Sequence, residues 1–480
     1  MADGAGRGLS WGVAGLCVVA GASLVNPVAV LSGGGRWFGL DDLTTRVMDP
    51  DLPFMIGAAA LAAVVGVLVL RWYRVVGWAA LLAVGALLST AGVIPLLSGL
   101  DGDSRWWPYA AMGAGPVLVV LGLLGGANWL LHTAGTAVAA PVIATAFLGP
   151  LPMPFVLATR WNGELLEGVT YTLAVVAPVA AIGILVMARA LRRQPVPPAP
   201  TWLVSAAGIG AGVLLLAPDL VDRISNAPGA AGLESGLFRP AAQDWRDDRM
   251  LGLGITGAAM VAAATGLAAL LGRRALVATL GAGLVLYGIL FPQSFSVVGL
   301  GNPVLILIVM LAGAGLGVVA AATRWRHVFA GVAGGLVALG TIGLLFGIGA
   351  NPPSRNQPAA LLIEPAVAAP LGWLLLAGTA FALTTGVVAA GSAVREGGRL
   401  PVALGLIAVA ILVGLTNVGG LVNHSAVSGG DVRSPVVLLG LLSAVTLATG
   451  AGLIAALHRP VPAAPTEPAE PREPEPVRAS

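Results

Sequence analysis

Long blocks of Ala, Val, Leu, Ile and Gly recur along the whole chain, separated by short polar stretches. Roughly 20 apolar residues in a helix cover the ~30 Å hydrocarbon core of a bilayer. Inside that core no water can satisfy a backbone amide, so a spanning segment must be a helix or part of a closed barrel. Only 10% of the 480 residues are charged, against roughly 25% in a soluble domain. With a mean hydropathy of +0.92, the chain cannot present a polar surface to water all round.

The blocks run Leu9–Leu31, Pro53–Leu70, Val75–Leu97, Tyr109–Leu131, Thr133–Leu157, Val169–Ala188, Thr201–Ala217, Leu251–Leu271, Ala275–Phe291, Pro303–Ala322, Val328–Ile348, Ala366–Val394, Pro401–Val422 and Pro435–Leu457. They predict an all-α, polytopic helical membrane bundle of about 14 transmembrane helices, within a range of 12–14, joined by short loops. The first block is too long for the core of a cleavable signal, so it reads as a retained span. The stretch 194–200, QPVPPAP, reads as an extended proline linker. It divides a first membrane bundle, 1–193, from a second, 201–458. The tail 459–480 is rich in Pro, Glu and Ala, and buries too little apolar surface to offset its ordering entropy.

Arginine sets the expected orientation. With the N-terminus inside, the inner ends hold Arg7, Arg71, Arg74, Arg189, Arg192, Arg193, Arg273, Arg274, Arg324, Arg326, Arg395, Arg399 and Arg459, and before the tail only Asp3 and Glu396. On the outer side acids outnumber arginines. Positive charge in short loops stays on the cytoplasmic side, so a cell-membrane protein with both termini cytoplasmic is expected. Tryptophans fall near block ends, Trp11, Trp72, Trp78, Trp129, Trp202 and Trp325 on the inner side, consistent with aromatic belts. The order span, acidic outer loop, span, basic pair, span begins at Leu9 and again at Thr201, a topological echo.

Glycine makes up 68 residues. Pairs four apart share a helix face and allow close backbone approach, as at Gly122/Gly126, Gly208/Gly212, Gly313/Gly317, Gly331/Gly335 and Gly343/Gly347.

The chemistry is sparse. Every basic residue among the 25 Lys plus Arg is arginine, which excludes a P-loop lysine, a Schiff-base lysine and a lysine general base. His132, His327, His424 and His458 have no zinc-site spacing. No metal, cofactor or nucleic-acid partner is expected. Charged residues are missing from mid-span positions, which disfavours a strongly ion-coupled pump. The polar groups within spans include Asn128 and Asn417, and they mark candidate positions on a substrate path. The run Gly149–Pro154, GPLPMP, with Pro150, Pro152 and Pro154, is a candidate broken helix, and Pro141 is expected to interrupt the same span. Many-pass glycosyltransferases acting on lipid-linked sugars carry a catalytic acid in the first outer loop. Asp41 and Asp42 are similar to it in position alone, and a carboxylate there can serve as a general base.

Between blocks the longest polar stretch is Pro218–Met250. It is read as an outer loop ending in Asp244, Trp245, Arg246, Asp247 and Asp248, a run that reads either as a solvated helix start or as a candidate contact for a protein partner. The inner tail 459–480 is a second candidate, and membrane lipid is an expected partner throughout. Three functions follow as expectations. The first is a transporter or flippase-like protein for a hydrophobic or lipid-linked component of a bacterial cell envelope. The second is a membrane enzyme using Asp41 or Asp42. The third is a non-catalytic assembly or scaffold subunit. Transport rather than catalysis is the favoured expectation.

Overall fold

The structure is a computed structural model. It describes residues 2–24, 52–73, 76–97, 106–149, 163–191, 201–218, 220, 239–297, 303–350, 365–394, 400–428 and 433–458. Among them are fourteen α-helices and no strand. They are α1 (Ala2–Gly21, continued by the 3-10 turn Ala22–Leu24), α2 (Leu52–Trp72), α3 (Gly77–Leu97), α4 (Trp106–Thr133), α5 (Thr136–Leu148), α6 (Gly163–Leu191) and α7 (Trp202–Leu214). The second half contributes α8 (Arg239–Leu270), α9 (Arg273–Val297), α10 (Pro303–Ala321), α11 (Arg326–Ala350), α12 (Pro365–Ala393), α13 (Leu400–Ser428) and α14 (Arg433–Ala456). Each corresponds to one predicted block. Eight are long and apolar enough to cross a membrane: α2, α4, α8, α9, α11, α12, α13 and α14. The chain is a multi-pass helical membrane protein.

In the first half, α4 is the hub, with α1, α2, α3 and α5 packed on it and α6 against α1 and α3. In the second half, α9 lies on α12, α13 and α14, α11 bridges α12 and α14, α10 lies on α12, and α8 flanks α13. Helix α7 sits between α2 and α13, while α5 touches α10 and α12. The spans of α4, α9 and α12 are each 72% buried but that of α8 only 28%, which sets α8 at the periphery. The packing does not repeat the topological echo. Helix α3 lies chiefly on α4, whereas its counterpart α9 lies chiefly on α14 and α12.

Small residues make the closest contacts. A methyl group on Gly85 of α3 would lie 2.7 Å from Val119 N and 2.8 Å from Gly115 O of α4. One on Gly288 of α9 would lie 2.6 Å from Leu447 N of α14, and one on Gly450 of α14 2.8 Å from Gly281 O of α9. Gly257 of α8 and Gly414 of α13 abut each other's carbonyls. Lipid tails are as apolar as leucine, so helices gain little by hiding leucine from lipid. They gain by bringing backbones into van der Waals contact. The predicted pairs Gly122/Gly126, Gly208/Gly212 and Gly313/Gly317 face α3, α2 and α12 respectively. At α11 the sequence misplaces the contact: Gly331 and Gly334 meet Ala455 and Ala451 of α14, while Gly335 and Gly343 face open space. A three-residue step shares a helix face as well as a four-residue step does.

Three further expectations are corrected. Helix α8 begins at Arg239, so the C-terminal part of Pro218–Met250 is helix and not loop. Proline is tolerated in a first turn, where its missing N–H has no partner to lose, and Ala241, Ala242 and Gln243 are good helix formers. Pro141 lies inside α5 without interrupting it, as Pro116, Pro178, Pro292 and Pro370 do in their helices. Trp78 and Trp129 are buried, not interfacial, and stack at 6.2 Å and 27° over the space left by Gly125 and Gly126. Trp11, Trp72, Trp202 and Trp325 remain exposed.

Two sharp reversals depend on backbone conformations that side chains rarely adopt. Gly135 (φ 89°) turns α4 into α5 and Gly272 (φ 106°) turns α8 into α9. Hydroxyl groups inside the bundle are satisfied mostly within their own helices. Thr341, Thr385 and Thr446 each donate to the carbonyl four residues back. Thr90 of α3 donates to Ala86 O at 2.9 Å and across to Ala174 O of α6 at 3.2 Å.

Gly113→Ala and Gly288→Ala drive a methyl group into the backbone of α2 and α14, at an expected cost of about 1–3 kcal/mol each. Both are expected to lower the thermal melting temperature in detergent. Gly183→Ala, which meets nothing within 4 Å, is expected to hold or raise it through helix propensity. Equal melting of all three proteins would refute the close-contact account.

Candidate functional site

Between the two groups of helices runs a narrow apolar seam. Leu124 of α4 and Ile143 and Phe147 of α5 form one wall. The other is formed by Ala278, Thr279 and Ala282 of α9, Val387, Ala390 and Gly391 of α12, and Pro401, Leu404, Gly405 and Ala408 of α13. Leucine and phenylalanine on the first wall reach into glycines on the second. A methyl group on Gly405 would clash with Leu124 Cδ1 and lie 3.6 Å from Phe147 Cζ, and one on Gly391 would lie 3.6 Å from Ile143 Cδ1. Its volume is about 20 Å³, room for a single water at most.

The seam has one hydroxyl. Thr279 Oγ1 donates to Ala275 O of its own helix at 2.6 Å, so it asks nothing of a ligand. On the first wall, Asn128 lies one turn beyond Leu124 on the same face of α4. It is 1% exposed and its Oδ1 has no partner among the described residues. No group of three or more His, Cys, Asp or Glu able to hold a metal occurs among the described residues.

The structure separates the other predicted positions. Asn417 of α13 faces α8, its Cβ 2.9 Å from where a methyl on Gly257 would stand, away from the seam. Its Nδ2 is buried without a partner among the described residues. Helix α5 stops at Leu148, with Gly149 N–H donating to Thr145 O at 2.9 Å. Pro150, Pro152 and Pro154 lie outside the described residues, as do Asp41 and Asp42 and the tail 459–480. Asp244, Trp245, Arg246, Asp247 and Asp248 fall in the opening turns of α8, where the backbone is described but the side chains are not.

None of the seam residues stood out in the sequence, because Ala, Gly, Val and Leu occur everywhere in it. The available signal was the four-residue spacing of Ile143/Phe147, Ala278/Ala282, Val387/Gly391 and Leu404/Ala408, which puts each pair on one helix face.

No family model and no curated protein matches the chain. Among solved structures it is similar to XylE, an MFS (major facilitator superfamily) proton:xylose symporter bound to 6-bromo-6-deoxy-D-glucose. That overlap has 16% identity and a TM-score of 0.47, over 91% of this chain and 94% of that one. It is also similar to the E. coli fucose:proton symporter FucP, at 11% identity and a TM-score of 0.45 over 94% of this chain and 98% of that one. A third similar structure is the xylose transporter XylE from E. coli in a partially occluded inward-open conformation. There the identity is 15% and the TM-score 0.46, over 92% of this chain and 97% of that one.

The unpaired Asn128 Oδ1 generates a prediction. Replacing a buried polar group that has no partner by an apolar one of similar size removes a desolvation cost. Asn128→Leu is expected to melt at the same or a higher temperature than the parent protein in detergent. A fall of several degrees would mean that Asn128 holds a structural partner.

Proposed function

We propose that this protein is a membrane transporter, flippase-like in action, that carries a hydrophobic or lipid-linked component of the cell envelope along the seam. The reading rests on one observation: the seam is lined by apolar side chains, and its one hydroxyl is satisfied within its own helix. Walls of this kind part without breaking hydrogen bonds, and an apolar cargo between them leaves no polar group unsatisfied. A sugar or an ion would need polar partners that the described seam lacks. The seam then lies between the proposed first bundle, 1–193, and the second, 201–458. Leu124, Ile143 and Phe147 come from one bundle, and α9, α12 and α13 from the other.

A second reading has its own support. A volume of about 20 Å³ suits a sealed bundle, and hence a non-catalytic assembly subunit in the membrane. Asp41 and Asp42, on which the enzymatic alternative depends, have no described surroundings to support it.

Transport and sealing are separable in proteoliposomes holding a fluorescent NBD-phospholipid, with dithionite added outside. The Cys17→Ala background removes the chain's single cysteine. A transporter is expected to expose the inner-leaflet probe to dithionite. Bridging Leu124→Cys to Gly405→Cys with a short bismaleimide is expected to slow that exposure at least tenfold, whereas neither single cysteine does so. Bleaching no greater than in protein-free vesicles would sink the transport proposal for lipid cargo and leave the sealed bundle.

We also propose, from the arginine distribution, that both termini are cytoplasmic. Ser235→Cys in the Cys17→Ala background is expected to react with an impermeant maleimide in intact cells, and Thr466→Cys only after permeabilisation. The reverse pattern would invert the orientation.

A further inference from the structure

A second apolar surface lies at the periphery, between α11 and α14. Val332, Gly335 and Leu339 of α11 and Ala444, Val445 and Ala448 of α14 border a groove of about 510 Å³. Its shape follows from its residues. The two helices touch where Gly331 and Gly334 meet Ala455 and Ala451, and again where Gly440 receives Leu345. Between those contacts, Gly335, Ala338, Ala444 and Ala448 are too small to fill the outward side. Exposed Val332, Leu336, Leu339 and Val445 stand as its rims.

One end of this groove is charged. Helices α11 and α14 are antiparallel, so the start of α11 and the end of α14 lie together. His327 and His458 are 6.2 Å apart by ring centroid, and His458 lies 5.5 Å from Trp325. The Arg324 guanidinium lies over the Trp325 ring at 5.4 Å. Arg326 stands between Trp325 and His327 in the chain. His327 is 92% buried, and its Nδ1 has no partner among the described residues. Arg273 and Arg274 open α9, which runs antiparallel to α14 and starts at the same end. The arginines at this end give it positive charge that attracts an anionic headgroup.

The two features are in register. Five residues of α11 separate His327 from Val332, or about 7.5 Å along the axis. In a bilayer the phosphate layer stands about 5–8 Å outside the hydrocarbon core, since headgroups add roughly 10–15 Å over two leaflets. A single molecule with an anionic phosphate and an acyl chain therefore meets both: phosphate at the exposed Arg324, Trp325 and His458, and chain in the groove. We propose that α11 and α14 form a specific site for one anionic phospholipid. The proposal does not depend on transport through the seam.

The test is native mass spectrometry of the intact protein in detergent, with phosphatidylglycerol or phosphatidylcholine supplied at equal concentration. One phosphatidylglycerol is expected to be retained, with at least tenfold greater occupancy than phosphatidylcholine. The double variant Arg324→Ala/His458→Ala, which alters exposed side chains, is expected to abolish that preference. The plugging variant Gly335→Leu/Ala448→Leu is expected to reduce binding of both lipids tenfold. Melting without added lipid checks that both variants fold. Inorganic phosphate is the third arm, and competition by it at millimolar concentration would mean a site for the phosphate alone, overturning the lipid proposal. Equal retention of the two lipids, or retention unchanged in both variants, would overturn it as well.

Discussion

The fold depends on how closely one helix backbone can approach another. Within a bilayer every amide is satisfied inside its own helix, so hydrogen bonding builds the fourteen helices but does little to arrange them. Neither does the hydrophobic effect, because leucine is as well solvated by lipid as by protein. What remains is contact at short range, and glycine and alanine supply it. The result is a bundle whose large side chains often point outward. Leu61, Leu336, Leu339 and Leu374 are each more than 60% exposed, while Ala63, Ala211, Ala278 and Ala410 are at or near zero. The crossings at Gly85/Gly115, Gly257/Gly414 and Gly281/Gly450 hold backbone against backbone, and no rotamer change can open or fill them.

The same economy of side chains limits the chemistry that the spans can perform. Thr279, Thr341, Thr385 and Thr446 turn their hydroxyls back on their own helices, so they stabilise packing without offering a ligand a partner. Arg71 donates to Ser205 Oγ at 3.4 Å where α2 meets α7, at the end of the bundle that also carries Arg273, Arg274, Arg324 and Arg326. Charge is thus confined to the ends and the interior is left to dispersion.

The helices were legible because bilayer thickness and the lack of water in the bilayer core fix the length and character of a span. Loss of charge over roughly 20 residues is a strong signal. Their ends and contacts were harder to read. Pro141 looked like an interruption because proline breaks helices in water, but neighbouring helices accommodate it here. Trp78 and Trp129 looked interfacial because tryptophan favours headgroups. Their burial depends on Gly125 and Gly126 opening space on α4, which no property of the tryptophans records. The charged run from Asp244 was readable as a solvated helix start, but α8 begins earlier, at Arg239. The seam was invisible because its residues are the commonest in the chain. Only the partner helix distinguishes Gly405, which receives Leu124, from Gly183, which meets nothing.

The seam and the peripheral groove are both apolar, yet they differ in what can occupy them. The seam is a narrow space between α4 and α5 on one side and α9, α12 and α13 on the other. The groove's rims face outward and its charged end selects a headgroup. Helices α9 and α12 both link them. Ala278 and Ala282 on one face of α9 line the seam, while Gly281 and Gly288 on another lie against Gly450 and Leu447 of α14. Those contacts are between backbones, so a shift of α14 relative to α11 cannot be absorbed by side chains before it reaches α9. A chain seated between α11 and α14 therefore acts on the seam through the stiffest contacts in the bundle. A lipid there has two routes to the seam: through Gly281, Gly288 and Gly450 to α9, and through α11 to α12, where Gly340 receives Leu375.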